Sequence, residues 1–206
     1  MLVALATASI LALGVALESA RGEHGGSLYR RHVVEGGRVT VDLPVRWPTL
    51  RPQDARFPGT APTLAARRPD LLPLLAGLAQ PDSGLRLLAF DPRSKGAVTA
   101  NLLLRLEQAR EVSYGRWTRG VVAGVRRAPG LVGPVRARTV RVQAGRALRV
   151  DYARTPRGAP GPVALTQLWV SRGATTVTLS FAVATGQRAR YEPTLARVLR
   201  SVALGP

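Results

Sequence analysis

The sequence predicts an α+β fold: a single antiparallel sheet of about six to eight strands with helices packed on it. Three observations carry this. Residues 98–106 and 175–184 alternate apolar and polar side chains with a period of two, the pattern of half-buried antiparallel strands. Glycine-bearing turn signals at 36–37, 143–145 and 171–173 separate β-prone runs. Segments with helical spacing interrupt the strands, giving the order ββ, α, ββ, α, ββββ, α.

The elements follow in order. Residues 32–35 and 38–43 form a hairpin around Gly36-Gly37, with Val39, Val41 and Leu43 facing one side. Pro44 ends the second strand and Trp47 follows. Residues 48–69 read as irregular and proline-rich, with Leu50, Phe57 and Leu64 free to pack. Asp70 is the expected cap of a helix to about residue 79, with Leu71, Leu74, Leu75 and Leu78 on one face and Pro73 tolerated in the first turn. Strands are expected at 85–90 and 97–106, the latter with Val98, Ala100, Leu102, Leu104 and Leu106 inward.

Ser113 reads as the cap of the next helix, which carries Tyr114, Trp117, Val121, Val122 and Val125 and ends before Pro129-Gly130. Strands at 135–142, 146–153, 163–170 and 175–184 follow as hairpins. A final helix spans about 192–202, with Pro193 in its first turn and Leu195, Val198, Leu199 and Val202 as the buried stripe.

Domain organisation is set by the first residues. Residues 1–17 contain no charged side chain. As a helix they would extend roughly 25 Å, short of the ~30 Å hydrocarbon core, which favours a signal peptide over a stable anchor. Gly14 and Ala16 suit a cleavage site, and Ala20 offers a poorer one. No basic residue precedes the apolar run, so an uncleaved anchor stays open, and Arg21 leaves room for the reverse topology. The expected division is 1–20 as signal peptide or membrane anchor, 21–28 as a Gly-rich linker, and 29–206 as one domain. The expected location is extracytoplasmic, with membrane contact through the N-terminal segment if it is uncleaved.

Composition bounds the chemistry. There are no cysteines, which excludes disulfides, thiolate ligands and a lipid-modified cysteine. The formal charge is +18, and every basic residue but Lys95 is arginine. Part of that excess reflects an Ala-, Gly- and Pro-rich compositional bias; the rest suits an acidic protein or an anionic envelope polymer.

Several runs carry a family resemblance. The segment GRVTVDLPVRW at 37–47 resembles the opening strand of PsbP-like domains. GRALRVDY at 145–152, the Gln167-Leu168-Trp169 strand, TVTLSF at 176–181 and the helix at 191–202 resemble later elements of the same group, in order, over roughly residues 29–204. The group includes the extrinsic photosystem subunit PsbP, bacterial envelope lipoproteins and LpqN-like proteins of actinobacteria. The resemblance implies a PsbP-like α/β/α sandwich and a non-enzymatic, exported, protein-binding domain. The anchoring cysteine of the lipoproteins is missing, so lipid attachment does not carry over, and no ion-binding residue matches.

No catalytic constellation emerges, and no enzyme, cofactor or metal is expected. His24 and His32 are too few for a zinc site. G-x-S-x-G, P-loop and H-E-x-x-H motifs are absent. Ser94-Lys95 reads as a polar turn rather than a dyad, and Asp82 and Asp91 merely flank one strand. Gly120 and Gly124 suit close helix–sheet packing.

The interaction candidates are Arg136, Arg138, Arg141 and Arg149, and Trp47. Arg136 and Arg138 share parity on one strand; Arg141 breaks it, so either a bulge lies near Thr139 or the row is discontinuous. The arginines form either a surface for an anionic partner or a sheet edge protected by charge. Trp47, just past a strand end, is the candidate lining of a cleft, while Trp117 belongs to a helix's buried stripe. The leading expectation is an exported, non-catalytic domain that binds another envelope protein or component. The alternatives are direct binding of anionic polymer or membrane surface through the Arg-rich face, and an enzyme of unrecognised type. Nucleic acid is not expected, since no motif for it is present.

Overall fold

The computed structural model describes residues 28–96, 98–108, 113–157 and 159–205. The residues assigned to the leader, and His24, lie outside these. Among the described residues no helix is long and apolar enough to cross a membrane.

The predicted N-terminal hairpin forms from β1 (Tyr29–Val34) and β2 (Val39–Pro44), paired antiparallel from Tyr29↔Pro44 to Val34↔Val39. Its turn demands positive φ at Glu35 (51°), Gly36 (60°) and Gly37 (100°), which explains the paired glycines. A short last strand, β10 (Ala203–Leu204), adds to the other edge of β2, making a three-stranded sheet β1-β2-β10. The backbone N–H of Asp42 donates to Ser201 Oγ at 2.8 Å, and that of Gly205 to the Arg38 carbonyl at 2.9 Å. A Cβ on Gly205 would lie 2.4 Å from the Gly37 carbonyl oxygen, so only glycine permits this approach.

The main sheet has seven strands in the order β3-β4-β5-β9-β8-β7-β6, every pairing antiparallel. They are β3 (Thr49–Leu50), β4 (Leu85–Phe90), β5 (Asn101–Gln108), β6 (Leu131–Val142), β7 (Gly145–Arg154), β8 (Val163–Arg172) and β9 (Thr175–Ala184). The four strands from β6 to β9 form a meander. The predicted sheet is therefore present at seven strands, with the N-terminal hairpin in a second, smaller sheet rather than in the same one.

One face of the main sheet is covered by the small sheet and by α4 (Arg188–Arg200). Val39, Val41 and Leu43 of β2 meet Leu102, Leu104, Leu168 and Leu179, with Leu195, Val198 and Leu199 of α4 closing the layer. The opposite face has two separate covers. Helix α1 (Phe57–Arg67) and helix α2 (Leu72–Ala79) pack on Leu88, Phe90 and Leu103. Helix α3 (Tyr114–Arg126) packs on Leu148, Val150, Tyr152 and Leu165.

Several expectations are corrected. Residues 48–69 are not irregular: α1 lies within them. Phe57, Ala61, Leu64 and Ala65 form its apolar stripe at helical spacing, but Pro58 and Pro62 disguise it. Pro58 sits in the first turn, where no N–H is needed, whereas Pro62 lies inside and removes one bond. Asp70 does not cap α2; its Oδ2 accepts the Thr99 N–H at 2.6 Å, and a 3-10 turn leads into the helix. Ser113 stands at the N-cap of α3 but makes no capping hydrogen bond with its side chain. Helix α4 starts earlier than expected, so Pro193 lies inside it, and the Ala189 carbonyl lacks its usual intrahelical donor. The alternation in β9 signals polarity rather than exposure: Thr176 and Thr178 on its polar side are each 5% exposed.

Candidate functional site

The four candidate arginines divide between the two faces of the sheet. Register places Arg136 opposite Asp151 and Arg138 opposite Arg149, so these side chains share the α4 face. Arg141 pairs with Arg146 and points to the α3 face. The ladder runs unbroken from Arg136 to Val142, and the register shift falls between Val132 and Arg136. Of the two readings of the row, discontinuity holds and a bulge near Thr139 is corrected.

Arg149 is not available to a partner. It is 6% exposed, with Nε 2.9 Å from Asp151 Oδ2 and Nη2 2.9 Å from Glu192 Oε1. Arg188 Nη2 lies 2.6 Å from the other oxygen of Asp151, which also accepts the Thr166 hydroxyl at 2.6 Å. Burial alone would raise the Asp151 carboxyl, but the hydrogen bonds from Thr166, Arg149 and Arg188 hold it below the usual carboxylate value. Burial likewise opposes the charge on Arg149, and its bonds to Asp151 and Glu192 outweigh that, keeping the guanidinium firmly protonated. Asp151, Arg188 and Glu192 were not singled out from the sequence. The signals are an Arg–Asp pair two residues apart on one strand face and an Arg–Glu pair four apart on a helix.

This network forms one wall of an open cleft of about 580 Å³, whose other wall carries Arg136 and Arg138. Both are exposed, and neither makes an ion pair among the described residues. Strand β6 ends the sheet, so its outer edge presents unpaired backbone groups beside these guanidinium groups.

Trp47 does not line a cleft. It is 6% exposed, stacked on Phe181 with centroids 6.2 Å apart at 12°, and set edge-on to Tyr191 at 6.3 Å. The tight turn after β2, with Trp47 N–H bonded to the Pro44 carbonyl, swings the indole back under the small sheet. Ser94 is buried and accepts the Ala100 N–H at 2.9 Å, and Asp91 accepts the Tyr191 hydroxyl at 2.7 Å; both fix loops. The six residues of β4 hold Asp82 and Asp91 roughly 20 Å apart, far beyond glycosidase spacing.

His32 is 5% exposed on β1, and burial together with Arg30 and Arg51 pushes its pKa down to about 4. A depressed folded pKa means the unfolded chain takes the proton first, so stability is full above about pH 6.5 and falls as pH drops toward 4. The loss is expected to be of order 1–3 kcal/mol after allowance for solvent screening. His32→Gln should flatten urea-unfolding midpoints across that window; an unchanged slope would assign the acid loss elsewhere.

Comparison with family models finds no match, and comparison with curated proteins finds none either. Solved structures do match. CyanoP, the cyanobacterial PsbP of Synechocystis sp. PCC 6803, superposes with a TM-score of 0.56 at 10% identity, over 91% of this chain and 99% of that one. LpqN of Mycobacterium tuberculosis, described as involved in cell envelope biogenesis, gives 0.54 at 11% identity, over 82% and 83%. A mutant of the protein Mog1 gives 0.51 at 13%, over 85% and 95%. An antiparallel main sheet with helices on both faces and a small sheet closing one of them places the chain among α/β/α sandwiches. Within that class, it has the PsbP-like fold.

Proposed function

We propose that this chain is a non-catalytic, extracytoplasmic binding domain that takes an acidic partner protein along the outer edge of β6. The observation that carries the reading is the pair of exposed guanidinium groups, Arg136 and Arg138, on an open edge strand where every nearby carboxylate is already spent on Arg149 and Arg188. An extended acidic segment would gain ladder hydrogen bonds from the edge and ion pairs from the arginines. A second copy of the chain is repelled there by like charge, so edge protection and partner choice come from the same residues. The charge-free run at 1–17 and the involvement of LpqN in cell envelope biogenesis support the location.

The test is recovery of the chain from its own host by cell fractionation, with its N-terminus read and co-purifying proteins identified. An extracytoplasmic chain with an acidic partner is expected, its affinity falling about tenfold between about 50 and 200 mM salt and again in Arg136→Gln/Arg138→Gln. Turnover of a substrate, recovery in the cytoplasm, or binding indifferent to salt and to both substitutions would overturn it. Capture of a polysaccharide or lipid instead would replace protein with polymer as the partner.

A further inference from the structure

On the α3 face, the two helical covers do not meet. Between α2 and the residues that follow β7, Pro156, Arg157, Ala159 and Pro160, a groove of about 500 Å³ opens over the middle strands, a size that suits a small molecule. Leu74 of α2, Leu103, Val163 and Leu165 give it apolar walls, while Asn101, Gln167 and Ser180 make its floor polar. This site is independent of the β6 edge and lies on the opposite side of the sheet.

Its polar groups are incompletely satisfied. Gln167 Nε2 donates to Ser180 Oγ at 3.2 Å, but its Oε1 is buried without a hydrogen-bond partner. Arg154 Nε is also buried and unpartnered. Two register steps further, outside the groove's lining, the facing pair Trp169 and Thr178 carries an unpartnered Nε1 and Oγ1. Orphaned buried atoms are rare in folded proteins, and the two on groove-lining residues, Gln167 Oε1 and Arg154 Nε, ask for a ligand that satisfies them. Asp70 is the one carboxylate lining the groove, and its Oδ2 is taken by the Thr99 N–H. Arg154 and Arg157 make no ion pair among the described residues, so the groove's own charge, two guanidinium groups against Asp70, is +1.

The chemistry of an occupant follows. An unpaired Nε–H beside the Nη groups is the side-on fork that a carboxylate fills. A net charge of +1 matches a monoanion better than a phosphate dianion. Register sets Arg154 opposite Val163, four residues along β8 from Gln167, so the two groups start about 13 Å apart. Apolar side chains line the stretch between. Gln167 Oε1 needs a donor. We infer that the groove binds an elongated amphipathic monocarboxylate, its carboxylate on Arg154 and a hydroxyl or amide donor at its far end on Gln167.

The probes are 10-hydroxydecanoate, decanoate and 1-decanol, each titrated below its micelle concentration into the full chain, with tryptophan fluorescence and calorimetry as readouts. The hydroxy acid is expected to bind about fivefold or more tighter than decanoate, and decanoate tighter than decanol. Arg154→Gln should weaken both acids by about tenfold while leaving decanol unchanged. Gln167→Leu should abolish the preference for the hydroxyl and keep decanoate binding. Urea-unfolding midpoints establish that each variant is folded, and Arg157→Gln serves as a second variant if Arg154→Gln is not. Acids that bind wild type and both arginine variants equally, or a wild-type chain that binds no probe, would overturn the inference. Arg136→Gln/Arg138→Gln should leave these titrations unchanged, which separates failure here from failure at the β6 edge.

Discussion

Asp151→Asn is expected to destabilise the fold by about 3 kcal/mol, because it strips the shared carboxylate from two guanidinium groups that cannot move apart. Arg149 is 8% exposed at its side chain and keeps only Glu192, while Arg188 loses its shortest ion pair. The cost comes from the uncompensated buried charge rather than from the intrinsic worth of the bridge. Arg149→Met with Asp151→Leu should therefore recover much of what the single change loses. Urea unfolding at neutral pH measures both. The acid limb gives a separate check. The Asp151 carboxyl is held below its ordinary value, so its contribution is present above the usual carboxylate range and disappears as pH falls through the folded value. Asp151→Asn should remove that portion of the acid loss, in a window lower than the one set by His32. A variant as stable as the parent would show that solvent already screens the network.

Trp47→Ala is expected to cost about 3–5 kcal/mol, the range for emptying a core aromatic site. Its indole contacts Phe181 and Tyr191 in the layer between the small sheet, α4 and the main sheet. Trp47→Phe should retain most of the stability, since Phe181 and Tyr191 still find an aromatic neighbour. Thermal melts of the three chains decide it. A loss near zero for the alanine variant would return Trp47 to the lining of a cleft.

Where side-chain period carried the information, the fold was legible. Val39, Val41 and Leu43 declared β2, and Val177, Leu179, Phe181 and Val183 declared β9, because a half-apolar alternation has few other uses. Helix α1 escaped since Pro58 and Pro62 are breakers by type, although one falls where no N–H is required. Trp47 misled because its position past a strand end says nothing about which way the following turn folds. Parity separated Arg136 and Arg138 from Arg141, yet the compensation of Arg149 depends on Arg188 and Glu192, which only tertiary packing brings to it. The groove was the least legible feature. Ser180 falls on the polar side of the β9 alternation, nothing in the period of β8 marks Gln167, and only tertiary packing brings the two under α2.

The clasp between β2 and β10 also bears on how the chain reaches its native state. Thr40 pairs with Ala203 and Val39 with Leu204, so the first hairpin finds its last neighbour only across about 160 residues of chain. The β6–β9 meander closes through neighbouring strands, but the pairing of β5 with β9, Asn101 against Ala182, already spans much of the chain. Such distant contacts fold late and slowly. The hairpins can form as local units, but the complete sandwich cannot: the small sheet stays open at one edge until residues 203–204 reach β2.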